Sequence, residues 1–459
     1  MKSHTCRFLR QSALAAAIAG ISAPASAAFF QIAENNASGI GNAFAGGAAI
    51  AEDASTVWYN PAGMTRFKSP QFVVAGHFII PSFNANVNSA SAITGSPISG
   101  GGGEAGESAL VPNLYYTHPI TSSFSLGAGI NAPFGLATEY DSTWAGRYHA
   151  VRSDIKTVNV NFAGAYKFSE VLSGGVGVNY QKVDAELTQG VDFATLCSLS
   201  GAGASTACGA LGGFNPNTNP NDGNAKVTAD STAWGYNLGL LLQPDNDVRV
   251  GMAYRSKMEH SLSGTFDITA PGNVPGGVLT APTVRLVDSG AKADVTLPAT
   301  FSLSAFRQMS SQWAVMADYT RTYWKSLPEL RIKFDSGQAD SVVTLNLVDT
   351  NRLSFGTTYK PNGSWVLRAG LAVDQSPVTT STDRTPRLPD AERTWYALGA
   401  GLQSSPALTF DFGYVYIKVN DSTVTKTAAP GNENFLRGNL NASYTGSVQI
   451  LSAQARWSF

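Results

Sequence analysis

The sequence predicts an all-β fold, a transmembrane antiparallel β-barrel of about 14 strands. Three observations lead to this prediction. Apolar and polar residues alternate over stretches of roughly ten residues, which is typical of strands that face lipid on one side and a polar lumen on the other. Only 14% of the 459 residues are charged, against roughly 25% in ordinary soluble domains. Short and long connections between the predicted strands alternate along the chain.

The chain begins with the features of a cleaved secretory signal, which we predict to cover residues 1–27. Residues 2–10 carry lysine and arginine, residues 13–21 are apolar, and Ala25-Ser26-Ala27 is a small-residue cleavage site. The apolar stretch is too short to span a bilayer. The mature protein is therefore predicted to be exported.

Alternation with a period of two begins at residue 71 and continues to the C-terminus. In the final stretch, LSAQARWSF, Leu451 and Trp457 share one face while Ser452 and Gln454 share the other. The strands of a soluble β-sandwich also alternate apolar and polar residues. The loops of a membrane barrel are short on the periplasmic side and long on the extracellular side, whereas the loops of a sandwich have no reason to alternate in length. The predicted strands are 71–80, 110–118, 124–132, 154–168, 173–187, 232–243, 247–266, 292–307, 312–323, 346–360, 364–373, 394–403, 408–418 and 446–459.

A compact segment, residues 28–70, precedes the predicted barrel of residues 71–459. It is rich in glycine and alanine, and its Asn-Pro pair ends a short helix-like run with a fixed turn. A barrel of this size encloses more space than its wall side chains can fill. We therefore expect the segment to fold inside the lumen as a hatch. A periplasmic tail, the alternative, would be more polar and disordered.

The hatch sequence GNAFAGGAAIAEDASTVWYNPAGM resembles that of the FadL/TodX-type outer-membrane transporters of hydrophobic compounds, including the Asn-Pro-Ala motif at Asn60, Pro61 and Ala62. Further matches, in chain order, are NAPFGLATEY, LPATFSLSAFRQMSSQWAV, LSFGTTY and LPDAERTW. The resemblance implies a fourteen-stranded barrel with a lumenal hatch. It also implies passive transport of long-chain fatty acids or similar molecules, with capture by the loops, an apolar lumenal pocket and lateral release through the wall.

Pro133, Phe134 and Gly135 end an alternating strand and are candidates for a kink in the wall. Proline removes a ladder donor, and glycine in a strand marks a bend or a bulge. The simpler interpretation is a strand that ends before a loop. The resemblance implies that this region kinks the third strand inward and opens the wall.

Arg331 and Lys333 lie within an apolar stretch of a long connection and are the candidate substrate-binding residues. A guanidinium can bind a carboxylate through two parallel hydrogen bonds, although both residues can equally be solvated loop cations. The resemblance places Arg331 where fatty acid transporters carry a lysine near the ligand carboxylate. Their second carboxylate-binding residue, an arginine, corresponds here to Gln189, and this departure predicts a weaker head-group site.

Arg393 matches an arginine of the same family at the start of a strand. Like Arg249, Arg352 and Arg368, which also face inward in the predicted strands, it is expected to belong to a structural polar network in the lumen. Binding of the ligand is the less favoured role for it.

Cys197 and Cys208 lie in the longest predicted extracellular loop. In an oxidising compartment the default expectation is a disulfide bond between them. The histidines of the mature chain are scattered without metal-ligand spacing, so no metal and no cofactor is expected.

The leading functional hypothesis is a passive outer-membrane transporter of a Gram-negative-type cell. Uptake of monoaromatic or other neutral hydrocarbons is the alternative within the same architecture, and a membrane-embedded lipid hydrolase would need a nucleophile motif such as G-x-S-x-G, which we do not find. A general porin would not need a hatch.

The expected partners are a hydrophobic ligand, outer-membrane lipid and, during biogenesis, the barrel-assembly machinery. We expect a monomer that is not an enzyme. The net charge of −1 gives no reason to propose nucleic acid.

Overall fold

The computed structural model describes residues 29–199, 222–272 and 286–459, so the predicted signal peptide lies outside the described residues. The strands form one continuous antiparallel sheet. They are β1 (Gln71–Ser91), β2 (Gly103–Glu104), β3 (Ala109–Pro119), β4 (Phe124–Asn131), β5 (Gly135–Glu139), β6 (Arg152–Lys167), β7 (Leu172–Asp192), β8 (Asp222–Leu242), β9 (Val248–Arg255), β10 (Met258–Thr269), β11 (Ser289–Leu297), β12 (Thr300–Gln308), β13 (Trp313–Thr322), β14 (Glu329–Phe334), β15 (Ser341–Thr344), β16 (Thr350–Tyr359), β17 (Trp365–Asp374), β18 (Arg393–Ser405), β19 (Leu408–Lys426) and β20 (Asn439–Ser458).

The helices are short. They are α1 (Ala37–Ile40), α2 (Gly47–Ile50), α3 (Thr56–Tyr59) and α4 (Phe193–Leu199), with 3-10 helices at Pro61–Arg66 and Trp324–Ser326. Within the described ranges, none of the helices combines the length and the apolar character that crossing a lipid bilayer requires.

The sheet closes on itself as a barrel of fourteen wall strands, which confirms the predicted fold class. β20 pairs with β1 along almost its whole length, from Gln71 opposite Ser458 to Ser91 opposite Asn439. Three wall strands are interrupted and consist of two segments each, namely β4 with β5, β9 with β10, and β11 with β12. β2, β14 and β15 lie in the long connections. Closure pairs the edge strands, whose backbone groups would otherwise be unsatisfied in hydrocarbon.

The two faces of the wall differ in polarity as the alternation predicts. On β6, Val158 and Phe162 are 52% and 63% exposed on the outside, whereas Asn159 and Asn161 are fully buried inside. Asn159 and Asn161 each donate a hydrogen bond of 3.1 Å to the side-chain oxygen of Asn179 on β7. Neighbouring strands are therefore joined inside the lumen by amide side chains as well as by the backbone ladder.

Several strands extend much further than the sequence predicts, always at the end where the long connections lie. β1 runs to Ser91 and β8 begins at Asp222, where the predicted strands stop at residue 80 and start at residue 232. A strand needs only about 9–11 residues to cross the membrane. Beyond that length there is no lipid on one side, so the apolar alternation that marks a strand disappears while the backbone pairing continues.

The N-terminal segment, residues 29–70, contacts wall strands on several sides of the barrel. α1 packs against β18, β19 and β20, α2 packs against β9 and β12, and the 3-10 helix Pro61–Arg66 packs against β6 and β7. These contacts are consistent with the predicted hatch.

Glycines in the wall allow the backbone of this segment to approach closely. A Cβ atom added at Gly251 would lie 1.9 Å from the carbonyl oxygen of Ala48, and one added at Gly370 would lie 2.2 Å from the carbonyl carbon of Asn42. Real Cβ contacts are never this short. Any other residue at either position must therefore move the segment or the wall.

Wall arginines satisfy backbone carbonyls of the N-terminal segment. Short helices leave their last carbonyls without intrahelical partners, and a guanidinium carries five donors in a rigid fork. The pairs are Arg249 with Ala49, Arg255 with Trp58, Arg352 with Ala43, Arg393 with Phe29 and Arg456 with Glu52. A buried ion pair adds to them, in which Arg368 contacts Glu52 at 2.6 Å and Asp411 of the wall at 2.9 Å.

The Asn-Pro-Ala motif fixes one turn of the segment to the wall. The side-chain nitrogen of Asn60 donates to the carbonyls of Ala48, at 2.7 Å, and of Leu240 on β8, at 2.9 Å. Its side-chain oxygen accepts from the backbone N–H of Ala62 at 3.1 Å and so caps the 3-10 helix that begins at Pro61. Asparagine is suited to this position because it donates and accepts at once.

We predict that Gly251→Ala or Gly370→Ala displaces the N-terminal segment and raises the ion conductance of the purified protein in planar bilayers. The added methyl group overlaps the segment backbone, whereas the wall ladder can stay intact. Gly164→Ala is the matched control, because its Cβ atom would lie 3.7 Å from Leu126, an ordinary contact. Conductance equal to that of the control in both variants would show that the segment does not seal the lumen.

Candidate functional site

The wall is broken beside β5. β3 pairs with β4 from Pro119 opposite Ser125 as far as Leu114 opposite Ile130. β4 ends at Asn131, and β5 then pairs with β6, while no pairing between β5 and β3 occurs in the described residues. The outer part of β3 is therefore bonded to β1 on one side only, and the ladder has an edge at this point.

Pro133, Phe134 and Gly135 form the break itself, and the N-terminal segment supplies their backbone partners. Ile32 donates its N–H to the carbonyl of Pro133 at 2.8 Å, and Gly135 donates its N–H to the carbonyl of Phe30 at 3.0 Å. The hydroxyl of Thr157 on β6 accepts from the N–H of Phe134 at 3.0 Å and donates to its carbonyl at 2.6 Å. Backbone at membrane depth that does not belong to a ladder is tolerated when protein groups satisfy it in this way.

An aromatic cluster lies directly inside the break. Phe134 points inward and is buried, and its ring centroid lies 5.7 Å from that of Phe30 and 6.3 Å from that of Trp324. Trp324 in turn contacts Phe29 and Phe30, with centroids 5.3 Å and 5.2 Å away. Its indole N–H is buried and has no hydrogen-bond partner among the described residues. The N-terminal segment thus closes the inner side of the break with two phenylalanine rings.

These aromatic side chains belong to a larger apolar group in the lumen, which we call the lumenal cluster. Its buried members are Phe29, Phe30, Phe134, Val183, Ala233, Met258, Leu262, Leu297, Trp324, Leu327, Leu345, Leu347, Val378 and Leu388. They come from wall strands and from the long connections, so the cluster extends from the break towards the loops.

A cavity of about 710 Å³ lies between the long connections, and we call it the outer cavity. Its apolar lining includes Leu196, Val227, Phe266, Ile332, Val343 and Phe435. Val343 also packs against the lumenal cluster, so the two apolar regions are continuous. The volume falls within the roughly 300–1,000 Å³ that is typical of small-molecule pockets.

The structure separates the two predicted substrate-binding residues. Arg331 on β14 lines the outer cavity, whereas Lys333 is exposed and is not among the lining residues. Arg331 already contacts two carboxylates, Glu329 at 2.6 Å and Asp340 at 3.1 Å. The hydrogen bonds that Arg331 donates to Glu329 and then to Asp340 raise the pKa of Arg331, so its charge is locally matched. A role of Arg331 in head-group binding stays a prediction.

Two arginines that sequence reasoning missed line the same cavity. Arg387, between β17 and β18, and Arg437, between β19 and β20, are both buried. Arg387 donates to the side-chain oxygen of Gln189 at 2.9 Å, and Gln189 is the position where the family resemblance led us to expect an arginine. Burial lowers the pKa of Arg387 to about 9, and the positive charge of Arg437 contributes to this shift.

Arg393 contacts the N-terminal segment and lies apart from the outer cavity. It donates to Asp390 at 2.6 Å and to the carbonyl of Phe29 at 2.9 Å, and it is not among the residues that line the cavity. Its contacts hold the first described residues of the segment beside the aromatic cluster.

The predicted disulfide involves one described and one undescribed residue. Cys197 lies on α4 and is disulfide-bonded, whereas Cys208 lies outside the described residues, so the pairing of the two stays a prediction. Leu196, the neighbour of Cys197, lines the outer cavity. A bond at Cys197 therefore restrains one wall of that cavity. Within the described ranges, His, Cys, Asp and Glu side chains form no group of three or more that could hold a metal ion.

Comparisons with known proteins agree on one family. Residues 18–459 match the family model described as "Outer membrane protein transport protein (OMPP1/FadL/TodX)". The chain is 34% identical over 455 residues to outer membrane protein P1 of Haemophilus influenzae, covering 95% of this chain and 96% of that protein. It is 32% identical over 413 residues to the long-chain fatty acid transport protein of Escherichia coli, covering 89% and 90% of the two chains.

A solved structure shows the same architecture. The crystal structure of a Pseudomonas aeruginosa FadL homologue superposes with a TM-score of 0.83 at 26% identity, and the match covers 94% of this chain and all of that one.

We predict that maleimide labels no cysteine of the unfolded exported protein unless a reductant is added first. Cys208→Ser should then expose one labelled cysteine, Cys197, without reductant, and Cys197→Ser should do the same for Cys208. Labelling of Cys197 in the unreduced wild-type protein would disprove the bond. A Cys208→Ser protein that stays unlabelled would assign Cys197 a different partner.

Proposed function

Because this chain belongs to the OMPP1/FadL/TodX family of outer-membrane transport proteins, we propose that it carries long-chain fatty acids or similar hydrophobic molecules across the outer membrane by passive diffusion. The observation that carries this proposal is the continuity of apolar surface. It runs from the outer cavity through Val343 into the lumenal cluster, and from there to Phe134 at the wall break.

The energetics of an acyl chain favour such a path. Burial gains about 0.8 kcal/mol per methylene, so a long tail leaves water readily for an apolar cavity of about 710 Å³. The same term opposes release of the tail into the aqueous periplasm. An exit that avoids water is therefore favoured over a straight one through the lumen.

The break beside β5 supports lateral release into the lipid of the outer membrane. The ladder between β3 and β4 stops at Leu114 and Ile130, and the side of the break that faces the lumen is occupied by Phe30, Phe134 and Trp324. In this proposal the ligand leaves between β3 and β5 once the N-terminal segment shifts away from Phe134. The inward kink at Pro133, Phe134 and Gly135 creates the opening.

The second candidate is uptake of monoaromatic or other neutral hydrocarbons through the same path. Three arginines line the outer cavity, namely Arg331, Arg387 and Arg437. They favour an acidic ligand, because a neutral hydrocarbon has neither a negative charge nor a hydrogen-bond acceptor for a guanidinium. In our proposal Arg331 is the first charged contact at the rim of the cavity, and Lys333 attracts anions to the loops.

The protein acts as a transporter and not as an enzyme, it needs no cofactor, and it works as a monomer embedded in outer-membrane lipid. Its closed barrel requires the barrel-assembly machinery during biogenesis.

We predict that cells whose outer membrane contains this protein import oleate faster than cells without it. Ligands extracted from the purified protein and identified by mass spectrometry should be dominated by fatty acids. Import of toluene but not of oleate would instead select the hydrocarbon alternative.

We predict that straightening the kink blocks uptake but not binding. Replacing the motif by alternating β-formers (Pro133→Thr, Phe134→Val and Gly135→Thr together) should let β4 continue into β5 and pair with the outer part of β3. Oleate binding to the purified variant should be retained, while oleate uptake by cells should fall to near background.

A proline elsewhere in the wall gives the matched control for that variant. Pro81 lies within β1 and pairs with Val448, so Pro81→Thr changes a strand proline without touching the break. Normal uptake by a correctly folded, straightened variant would move the exit to the periplasmic end of the lumen.

A further inference from the structure

Three cationic side chains and one histidine are buried together where the long connections meet the barrel. They are His149, between β5 and β6, Arg387, Lys426 at the end of β19, and Arg437, each between 5% and 9% exposed. They lie close enough together for the charges of the three cations to shift the pKa of His149. Burial lowers the pKa of His149 well below its usual value, and the positive charges of Arg437, Lys426 and Arg387 lower it further.

The three cations of this cluster form no salt bridge with a carboxylate of the described residues, although the charge of Glu433 acts on Lys426 and Arg437, and that of Asp383 on Lys426, from a distance. Among the described residues, no carboxylate oxygen lies within 4 Å of the side-chain nitrogens of Arg387, Lys426 or Arg437. Arg387 donates to the carbonyls of Arg152 and Thr188 and to the side chains of Ser153 and Gln189. All of these acceptors are neutral. Uncompensated buried charge is unfavourable, so the site favours an incoming anion.

Arg437 is similarly bound to neutral acceptors. It donates to the carbonyl of Val342 at 2.7 Å and to the hydroxyl of Ser341 at 2.9 Å. The carboxylate that acts on it, Glu433, is held instead by the backbone N–H and the hydroxyl of Thr344, both at 2.7 Å. Glu433 also lines the outer cavity, so it stabilises the cluster at a distance and repels an anion that enters.

The guanidinium of Arg387 has donors left for a ligand. Its Nη1 group donates hydrogen bonds to three acceptors, and its Nη2 group donates one to Gln189. The Nε–H and one Nη2–H therefore have no partner among the described residues. Two N–H groups of one guanidinium are what a carboxylate needs for a bidentate contact. Gln189 restrains the guanidinium, because its side-chain oxygen accepts from Nη2 at 2.9 Å.

We propose that Arg387, assisted by Arg437, binds the carboxylate of an amphipathic acid whose tail occupies the outer cavity. This inference rests on the proposed function and specifies it, because it assigns the acid-recognition site to two loop arginines that come from connections remote in sequence from Arg331 and Gln189. Leu388, the neighbour of Arg387, belongs to the lumenal cluster. A head group at Arg387 therefore lies at the junction between the outer cavity and the lumen.

The test compares two ligands of equal chain length, oleate and oleyl alcohol, in equilibrium binding to the purified full-length protein. Arg387→Gln should weaken oleate binding at least about tenfold, which corresponds to about 1.4 kcal/mol, and should leave oleyl alcohol binding nearly unchanged. Arg437→Gln should act in the same direction, and Arg387→Lys should restore part of the loss. Glu433→Gln should tighten oleate binding, because it removes the negative charge and keeps an acceptor for Thr344.

Two arginines serve as controls. Arg384 lies three residues from Arg387, is half-buried and donates to the carbonyls of Asp390 and Thr423, and Arg331 is paired with Glu329 and Asp340. Arg384→Gln should not change the ratio of the two affinities, and Arg331→Gln should change it less than Arg387→Gln does.

The outcomes distinguish a failure of this inference alone from a failure of the proposed function. If the wild-type protein binds oleate but the ratio of oleate to oleyl alcohol affinity is the same in Arg387→Gln, the assignment is wrong and transport stands. Equal losses for both ligands would make Arg387 a structural residue of the loops. If the wild-type protein binds neither ligand, the proposed function fails, and this inference fails with it.

Discussion

The requirement that every backbone N–H and C=O be paired inside hydrocarbon governs this molecule. It forces the wall to close, and closure is achieved where β20 pairs with β1. A closed barrel of fourteen strands encloses a lumen wider than its own side chains can fill. The polar inward face of the wall then needs partners, and the N-terminal segment supplies them through its carbonyls and through Glu52.

The break in the wall is the exception that this requirement permits. Where the ladder between β3 and the third wall strand stops, Phe30 and Ile32 of the N-terminal segment provide the missing backbone partners. The segment that pairs with the polar inner face of the wall therefore also satisfies the interrupted strand. A movement of Phe30 away from Gly135 would change the packing of the lumen and the state of the wall at the same time.

Much of the fold could be predicted from the sequence, because lipid outside and polar groups inside impose a period of two on every wall strand. The number of wall strands and their order were predictable from the residues and from the family resemblance. The outer ends of β1 and β8 were not, since above the membrane no apolar face is required. The cationic cluster was also beyond prediction. Arg387 and Arg437 lie in different long connections, and nothing in the sequence indicates that these connections meet.

The seam between β1 and β20 also determines how the chain must fold. Gln71 pairs with Ser458, so the contact that closes the barrel joins the beginning of the barrel to its end. The N-terminal segment depends on the same late strand, because the backbone N–H of Ala37 donates to Gln454 at 3.0 Å and Arg456 donates to Glu52. Contacts between residues far apart in sequence form slowly, as loop-closure entropy is lost before they are gained. A chain that lacks its last twenty residues therefore has an open wall, and its N-terminal segment lacks the contacts with Gln454 and Arg456. The same twenty-residue strand, β20, thus completes both the hydrogen bonding of the wall and part of the hydrogen bonding of the N-terminal segment, so a truncation there affects two structural elements at once.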